Sequence, residues 1–151
     1  MTSSVPSSRL SDTGLPLGSS LPELPDYLKE SIGAAWNQTG TIRVLLFASV
    51  YCTHCIDLLP HLQKIAETYP TFSIRLFTTG DEEDHRSMRE FFGWDFPVST
   101  MDQSDMEAYF EVTALPFMLL VDESDLVAAK GVVYNADDFK QIVQFNRIAS
   151  S

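Results

Sequence analysis

Val50-Tyr51-Cys52-Thr53-His54-Cys55-Ile56-Asp57-Leu58-Leu59-Pro60 holds both cysteines of the chain, two residues apart. A loop so short gains little from closure, so the pair is no structural staple and a local redox or metal function is the better reading. Just upstream, residues 42–49 form an apolar run with Val44, Leu45, Leu46 and Phe47 adjacent, which predicts a central strand covered on both faces. Downstream, Leu58, Leu59, Leu62, Ile65, Ala66 and Tyr69 recur at three- and four-residue spacing and predict an amphipathic helix that stops before Pro70 and kinks at Pro60. Cys52 therefore falls at a strand-to-helix junction, where unpaired backbone N–H groups and the helix dipole favour a thiolate, the form that attacks disulfides. Cys55, one turn further in and more buried, is placed as the resolving thiol that releases a mixed disulfide. His54, inside the pair, can stabilise the thiolate by hydrogen bonding or charge.

Other readings of the same residues stay open here. A lone C-x-x-C is also a zinc half-site, but zinc usually takes four ligands, and the remaining candidates of the usual soft type are His54, His61 and His85. A copper or zinc carrier built on the two cysteines and a histidine is thus the alternative function. Two reduced cysteines filling the core, or a redox-inactive interaction module, are the blander ones. His61 is expected on the helix surface, and His85, among Asp81, Glu82, Glu83 and Asp84, is expected to be a solvated residue at a helix start. Asp57, two residues past Cys55, points away from it and is read as a solvated first-turn carboxylate.

Further along, residues 72–78 predict a second buried strand and residues 82–92 a helix with Met88, Phe91 and Phe92 inward. A Pro-containing connection over residues 93–100, with a short strand near 96–99, leads to a short acidic helix over 104–110 with Ser104 as its candidate cap. Residues 117–121 and 126–133 read as two strands of a hairpin around a turn at 122–125. Asn135 then caps a last helix carrying Phe139, Ile142, Val143 and Phe145. Upstream of the first strand, Leu28, Ile32, Ala35 and Trp36 predict a short helix over 26–36, ended by Thr39-Gly40. Residues 1–25, rich in Ser and Pro, read as a flexible lead-in, with the folded domain over 26–148. The order implies an α/β layered domain with helices on both faces of a sheet.

Composition narrows the function further. Ten Lys and Arg against 21 Asp and Glu give a net charge of -11, a poor surface for phosphate backbones, so nucleic acid is an unsuitable partner. No apolar run approaches the ~18 residues of a membrane span. The start, Met1-Thr2-Ser3-Ser4, lacks a basic leader and an apolar stretch. The expectation is a soluble chain, cytoplasmic if it is the whole protein and extracytoplasmic if an N-terminal anchor has been removed.

Taken together, Tyr51-Cys-Thr-His-Cys55 with Pro60 five residues after the second cysteine resembles the thioredoxin active site and its helix-kinking proline. Leu115-Pro116-Phe117 resembles the cis-proline segment of that superfamily, and residues 119–122 through Lys130-Gly131 its closing hairpin. The resemblance covers about residues 40–147. Within the superfamily, residues 80–86 and 128–135 are most similar to the MauD-like proteins that assist maturation of methylamine dehydrogenase, beside the broader membrane-tethered TlpA/ResA group.

The resemblance implies a thioredoxin fold, a central mixed sheet of four to five strands flanked by helices. It implies a thiol-disulfide oxidoreductase that exchanges disulfides with protein substrates and with an upstream electron donor or acceptor. No cofactor or metal is implied, and a monomer is expected. Cys52 and Cys55 would be catalytic, and His54, Thr53 and Tyr51 would tune them. Pro116, in cis, would leave the backbone of Leu115 free to pair with an extended substrate segment. Three positions depart from the pattern. Tyr51 replaces the usual tryptophan, Thr53 replaces the proline of the strongly oxidising Pro-His enzymes that His54 resembles, and Leu46 stands where thioredoxins bury an acid.

Overall fold

In the computed structural model, residues 13–32 and 41–150 are described, without the side chains of Ser31 and of residues 145–150. Alternation of side chains along the first strand explains the layering. In β1 (Arg43–Ala48), Val44, Leu46 and Ala48 point into one apolar cluster while Leu45 and Phe47 point into another. Every residue of β1 is buried, which is what a continuous apolar run predicts of a strand with helices on both sides.

β1 sits at the centre of a five-stranded mixed sheet. It pairs in parallel with β2 (Ser73–Thr78), which pairs in parallel with β3 (Val98–Thr100). On its other side lies the antiparallel hairpin of β4 (Phe117–Val121) and β5 (Val127–Val132), giving the order β3-β2-β1-β4-β5. The first core covers one face and is closed by the helices after β1 and β5. It contains Cys55, Leu58, Leu62, Ile65, Phe139 and Val143. The second core, on the opposite face, is built around Phe47, Phe77 and Phe110, whose rings meet pairwise at 5.0–5.9 Å between centroids.

α1 (Asp26–Ile32) belongs to the second core through Leu28 and Ile32. The continuation of this helix expected through Ala35 and Trp36 lies outside the described residues, as does the side chain of Phe145. After β1 the chain enters α2 (Thr53–Leu58), passes through a single 3-10 turn (Leu59–His61) and resumes as α3 (Leu62–Thr68). Pro60 lies in that turn. A proline inside a helix removes one N–H donor and crowds the preceding turn, at about 3 kcal/mol in a regular helix, and the local tightening is how the chain accommodates it. α4 (Glu82–Phe92) begins with a reciprocal capping box between Asp81 and Asp84 and ends at Gly93, whose φ of 70° suits a residue without a Cβ. α5 (Gln103–Phe110) and α6 (Ala136–Ser150) complete the layers, and Asn135 accepts the N–H of Asp138 at the start of α6.

Four expectations from sequence need correction. Packed structure begins well before residue 26. Leu15 and Leu24 are buried in the second core, the Gly18 N–H bonds to the Val127 carbonyl, and the Val127 N–H bonds back to the Ser19 carbonyl. Residues 18–20 of the expected lead-in therefore sit at the free edge of the sheet, where Ser20 bridges Leu126 beside β5, while the Gly14 N–H bonds to the Glu111 carbonyl. Phe91, expected inward, is 83% exposed. The inner stripe of α4 runs through His85, Met88 and Phe92, and Phe91 falls one residue off it. His85, expected in solvent, is 2% exposed. Finally, α5 starts at Gln103 with Asp102 in the cap position, so Ser104 lies inside the helix.

Candidate active site

The carboxyl end of β1 delivers the two cysteines. After Ala48 the chain makes a turn closed by the Cys52 N–H on the Ser49 carbonyl at 3.1 Å, and α2 begins. Cys52 is the N-cap of α2 and has extended backbone dihedrals. Its sulfur accepts the N–H of Cys55 at 3.4 Å, one of the donors that a helix start leaves unpaired. Both thiols are free in this structure, with Cys52 half-buried and Cys55 buried.

The two sulfurs differ in their surroundings. Cys55 is enclosed by the first core, and burial pushes its thiol up to about 12. The hydrogen bond with the Cys52 side chain adds to the rise, and the Ser49 N–H, 3.4 Å from Cys55 Sγ, opposes it. Cys52 faces the loop before β4. There the Leu115–Pro116 peptide is cis, and the Leu115 carbonyl oxygen lies 4.0 Å from Cys52 Sγ. Sixty-three residues of sequence separate that pair.

Thr53 and His54, between the cysteines, are exposed, and Tyr51 is 83% exposed. The His54 ring meets the Tyr134 ring edge-on at 5.4 Å between centroids, so the loop after β5 also borders the site. Ile56 is half exposed on the first turn of α2. Pro116 is buried and Leu115 half-buried. Residues 51–55, Leu115 and Pro116 thus lie together at one end of the sheet, around Cys52.

Leu46 is buried at 1% exposure in the same apolar cluster as Cys55, and Asp57 is exposed on α2. Among the described residues, then, the partners of Cys55 Sγ are the Ser49 N–H and the Cys52 thiol, and no carboxyl is among them. Among the described residues no three His, Cys, Asp or Glu side chains are grouped so as to hold a metal ion. His61 is exposed on the helix surface, and His85 is tied to the Thr79 carbonyl at 3.1 Å.

Sequence reasoning misses Tyr134, which borders the site through the His54 ring, and the buried pair Ser49 and Thr79 behind it. Ser49 and Thr79 end adjacent parallel strands, and a polar residue closing an apolar run was the one visible signal. Their meeting across the strand ends depends on register.

No family model matches the chain. It is 25% identical over 144 residues to the methylamine utilization protein MauD of Paracoccus versutus, which covers 91% of this chain and 70% of the relative. A thiol:disulfide interchange protein of the thioredoxin family from Chlorobium tepidum superposes with a TM-score of 0.64 at 16% identity, over 87% of this chain and 98% of that one. A secreted Mycobacterium tuberculosis disulfide oxidoreductase homologous to E. coli DsbE superposes with a TM-score of 0.60 at 18% identity, over 71% and 83%. At these identities the structural likeness establishes the thioredoxin fold, and in this chain that fold carries a C-x-x-C pair of thiols at the helix start after its central strand.

Proposed function

We propose that this thioredoxin-fold chain is a thiol-disulfide oxidoreductase that exchanges disulfides with protein substrates through Cys52 and Cys55. The observation that carries the reading is the asymmetry of the pair: a half-exposed sulfur that accepts a helix N–H, beside a buried one held protonated. In the reducing direction, Cys52 Sγ, as thiolate, attacks one sulfur of a substrate disulfide and expels the other as a thiolate. Cys55 then gives up its proton and attacks Cys52 Sγ. The Cys52–Cys55 disulfide forms, and the substrate leaves with two more electrons and two more protons. The oxidising direction is the reverse. No metal or organic cofactor enters either, and an upstream electron donor or acceptor returns the pair to its starting state.

A protein substrate suits the surroundings. Tyr51 and Ile56 offer exposed apolar area around the reacting sulfur, and an extended segment pairing with the Leu115 backbone would bring its own sulfur to Cys52. His54, Thr53 and Tyr51 tune the pair, and Pro116 holds the platform. The likeness to thiol:disulfide interchange proteins supports exchange with protein thiols and disulfides.

The test uses single variants with a disulfide-bearing protein. Cys52→Ser should abolish exchange, and Cys55→Ser should accumulate a mixed disulfide visible by mass. Retained turnover in Cys52→Ser refutes the mechanism. Full biological activity in the double variant would make the chain an interaction module, and stoichiometric copper or zinc in the native protein would make it a carrier. Direction is read by equilibrating the pair with glutathione: a potential near ~-120 mV marks an oxidant and one near ~-270 mV a reductant.

A further inference from the structure

Behind the cysteine pair, at the ends of β1 and β2, lies a group of buried polar side chains that the exchange steps do not use. Ser49 is 3% exposed, Thr79 8% and His85 2%. Buried polar groups are retained where their hydrogen bonds hold something in place, and here the bonds form one connected path. Thr79 Oγ1 accepts the Val50 N–H at 3.0 Å and lies 3.2 Å from Ser49 Oγ. Ser49 Oγ accepts the Tyr51 N–H at 3.1 Å. The Thr79 carbonyl is in turn bonded to His85 Nε2 at 3.1 Å. The turn over residues 49–52 is thereby fastened to the end of the neighbouring strand at two successive amides. The Ser49 N–H, at the first residue of that turn, points at Cys55 Sγ at 3.4 Å.

We propose that Ser49 and Thr79 are positioning residues for the resolving step: their paired hydroxyls lock the turn so that the Ser49 N–H is aimed at Cys55 Sγ and stabilises its thiolate. This inference rests on the thiol-disulfide reading above. Its physical basis is the composition of the site. Leu46 and the rest of the first core surround Cys55 with hydrocarbon, which disfavours the anion the resolving step requires. Hydrogen bonding to the charged form is the counterweight available, and a fixed backbone donor supplies it without bringing a second charge into the core. The donor is effective only while its direction holds. His85 extends the fastening to α4, anchoring Thr79 from the far side.

The hydroxyls can be removed with little change of shape. Thr79→Val keeps the volume, Ser49→Ala removes the other partner, and Thr79→Ser restores a hydroxyl as the rescue. The readout is the two-phase reaction of the reduced protein with 5,5′-dithiobis(2-nitrobenzoate) at pH 7. The first thionitrobenzoate released reports attack by Cys52, and the second reports attack of Cys55 on the mixed disulfide. Weakening a hydrogen bond to an anion lowers its population roughly tenfold, and the more basic thiolate is a roughly threefold better nucleophile, so the second phase should slow about threefold. The first phase should stay within about twofold, and Thr79→Ser should recover the second.

Folded Thr79→Val and Ser49→Ala proteins with an unchanged second phase would overturn the proposal, as would a Thr79→Ser variant no faster than Thr79→Val. A measurement that leaves both hydroxyls in place is independent of those variants, because the Ser49 amide proton should move upfield when Cys55→Ala removes its acceptor at pH 7. A Ser49 amide resonance indifferent to that loss overturns the proposal even if the Ser49 and Thr79 variants fail to fold. Absence of the first phase in the unsubstituted protein would instead count against the thiol-disulfide reading, so the two failures are distinguishable.

Discussion

Raising the pH from 7 to 10 should accelerate the resolving step by nearly the full factor that its proton allows. Burial holds the Cys55 thiol up at about 12, against an ordinary value of 9.0. At pH 7 an ordinary thiol is about 1% thiolate, and one held at about 12 is about 0.001%, a thousandfold less. From pH 7 to 10 the ordinary thiol bends at 9 and gains less than ~100-fold, whereas the buried one gains ~10-fold per pH unit throughout. Formation of the mixed disulfide removes the contributions of the Cys52 thiol, but burial, the largest cause, persists. The sign follows from the acid form being favoured in the core: attack is slow at low pH and speeds up as pH rises toward the raised value. The assay is stopped-flow release of the second equivalent of thionitrobenzoate across pH 7–10, plotted as log rate against pH. A line of unit slope without levelling below pH 10 is expected. A plateau at pH 8.5–9 would show that Cys55 titrates as an ordinary thiol and would refute the argument from its enclosure.

Other consequences can be checked separately. His54→Leu removes the histidine proposed to tune the pair, so the Cys52–Cys55 potential should fall by roughly 30 mV, about 1.4 kcal/mol for a two-electron couple; an unchanged potential in a glutathione titration would take His54 out of the tuning set. Gly14→Ala and Gly18→Ala test whether the segment before residue 26 belongs to the fold. Both glycines have positive φ, 87° and 86°, but a Cβ on Gly14 would stand 2.6 Å from Phe117 Cε2, whereas one on Gly18 would meet nothing within 4 Å. Urea melts should show Gly18→Ala costing ~1 kcal/mol for the backbone and Gly14→Ala about 2–4 kcal/mol, because the contact with Phe117 adds to it. Equal losses would mean that the close approach to Phe117 does not contribute.

Much of the site was legible in the chain because its features are local. The spacing of Cys52 and Cys55, the apolar run before them and the helical periodicity after them each involve residues within one or two turns of one another. Such patterns depend on the 2.0- and 3.6-residue periods of strand and helix, which the backbone imposes whatever packs around it. Pro60 is of the same kind, since its missing N–H perturbs its own turn. The failures also have a pattern. His85 reads as solvated from its acidic neighbours Asp81–Asp84, but the side of α4 that turns inward is set by the sheet beneath it, and that side carries His85 while exposing Phe91. The Ser- and Pro-rich composition of residues 1–25 reads as a free segment, yet Leu15 and Leu24 find a core that other elements build.

By itself, then, the sequence determined the order of elements, the strand-to-helix placement of the thiols and which residues stand between them. Tertiary structure alone decided what surrounds each sulfur. Leu115 reaches Cys52 from 63 residues away, and Thr79 meets Ser49 from 30 away through the pairing of β1 with β2. The physical reason is that the protonation of a thiol depends on solvent access and on hydrogen-bond direction. Both are set by contacts between segments distant in sequence, which no local period encodes.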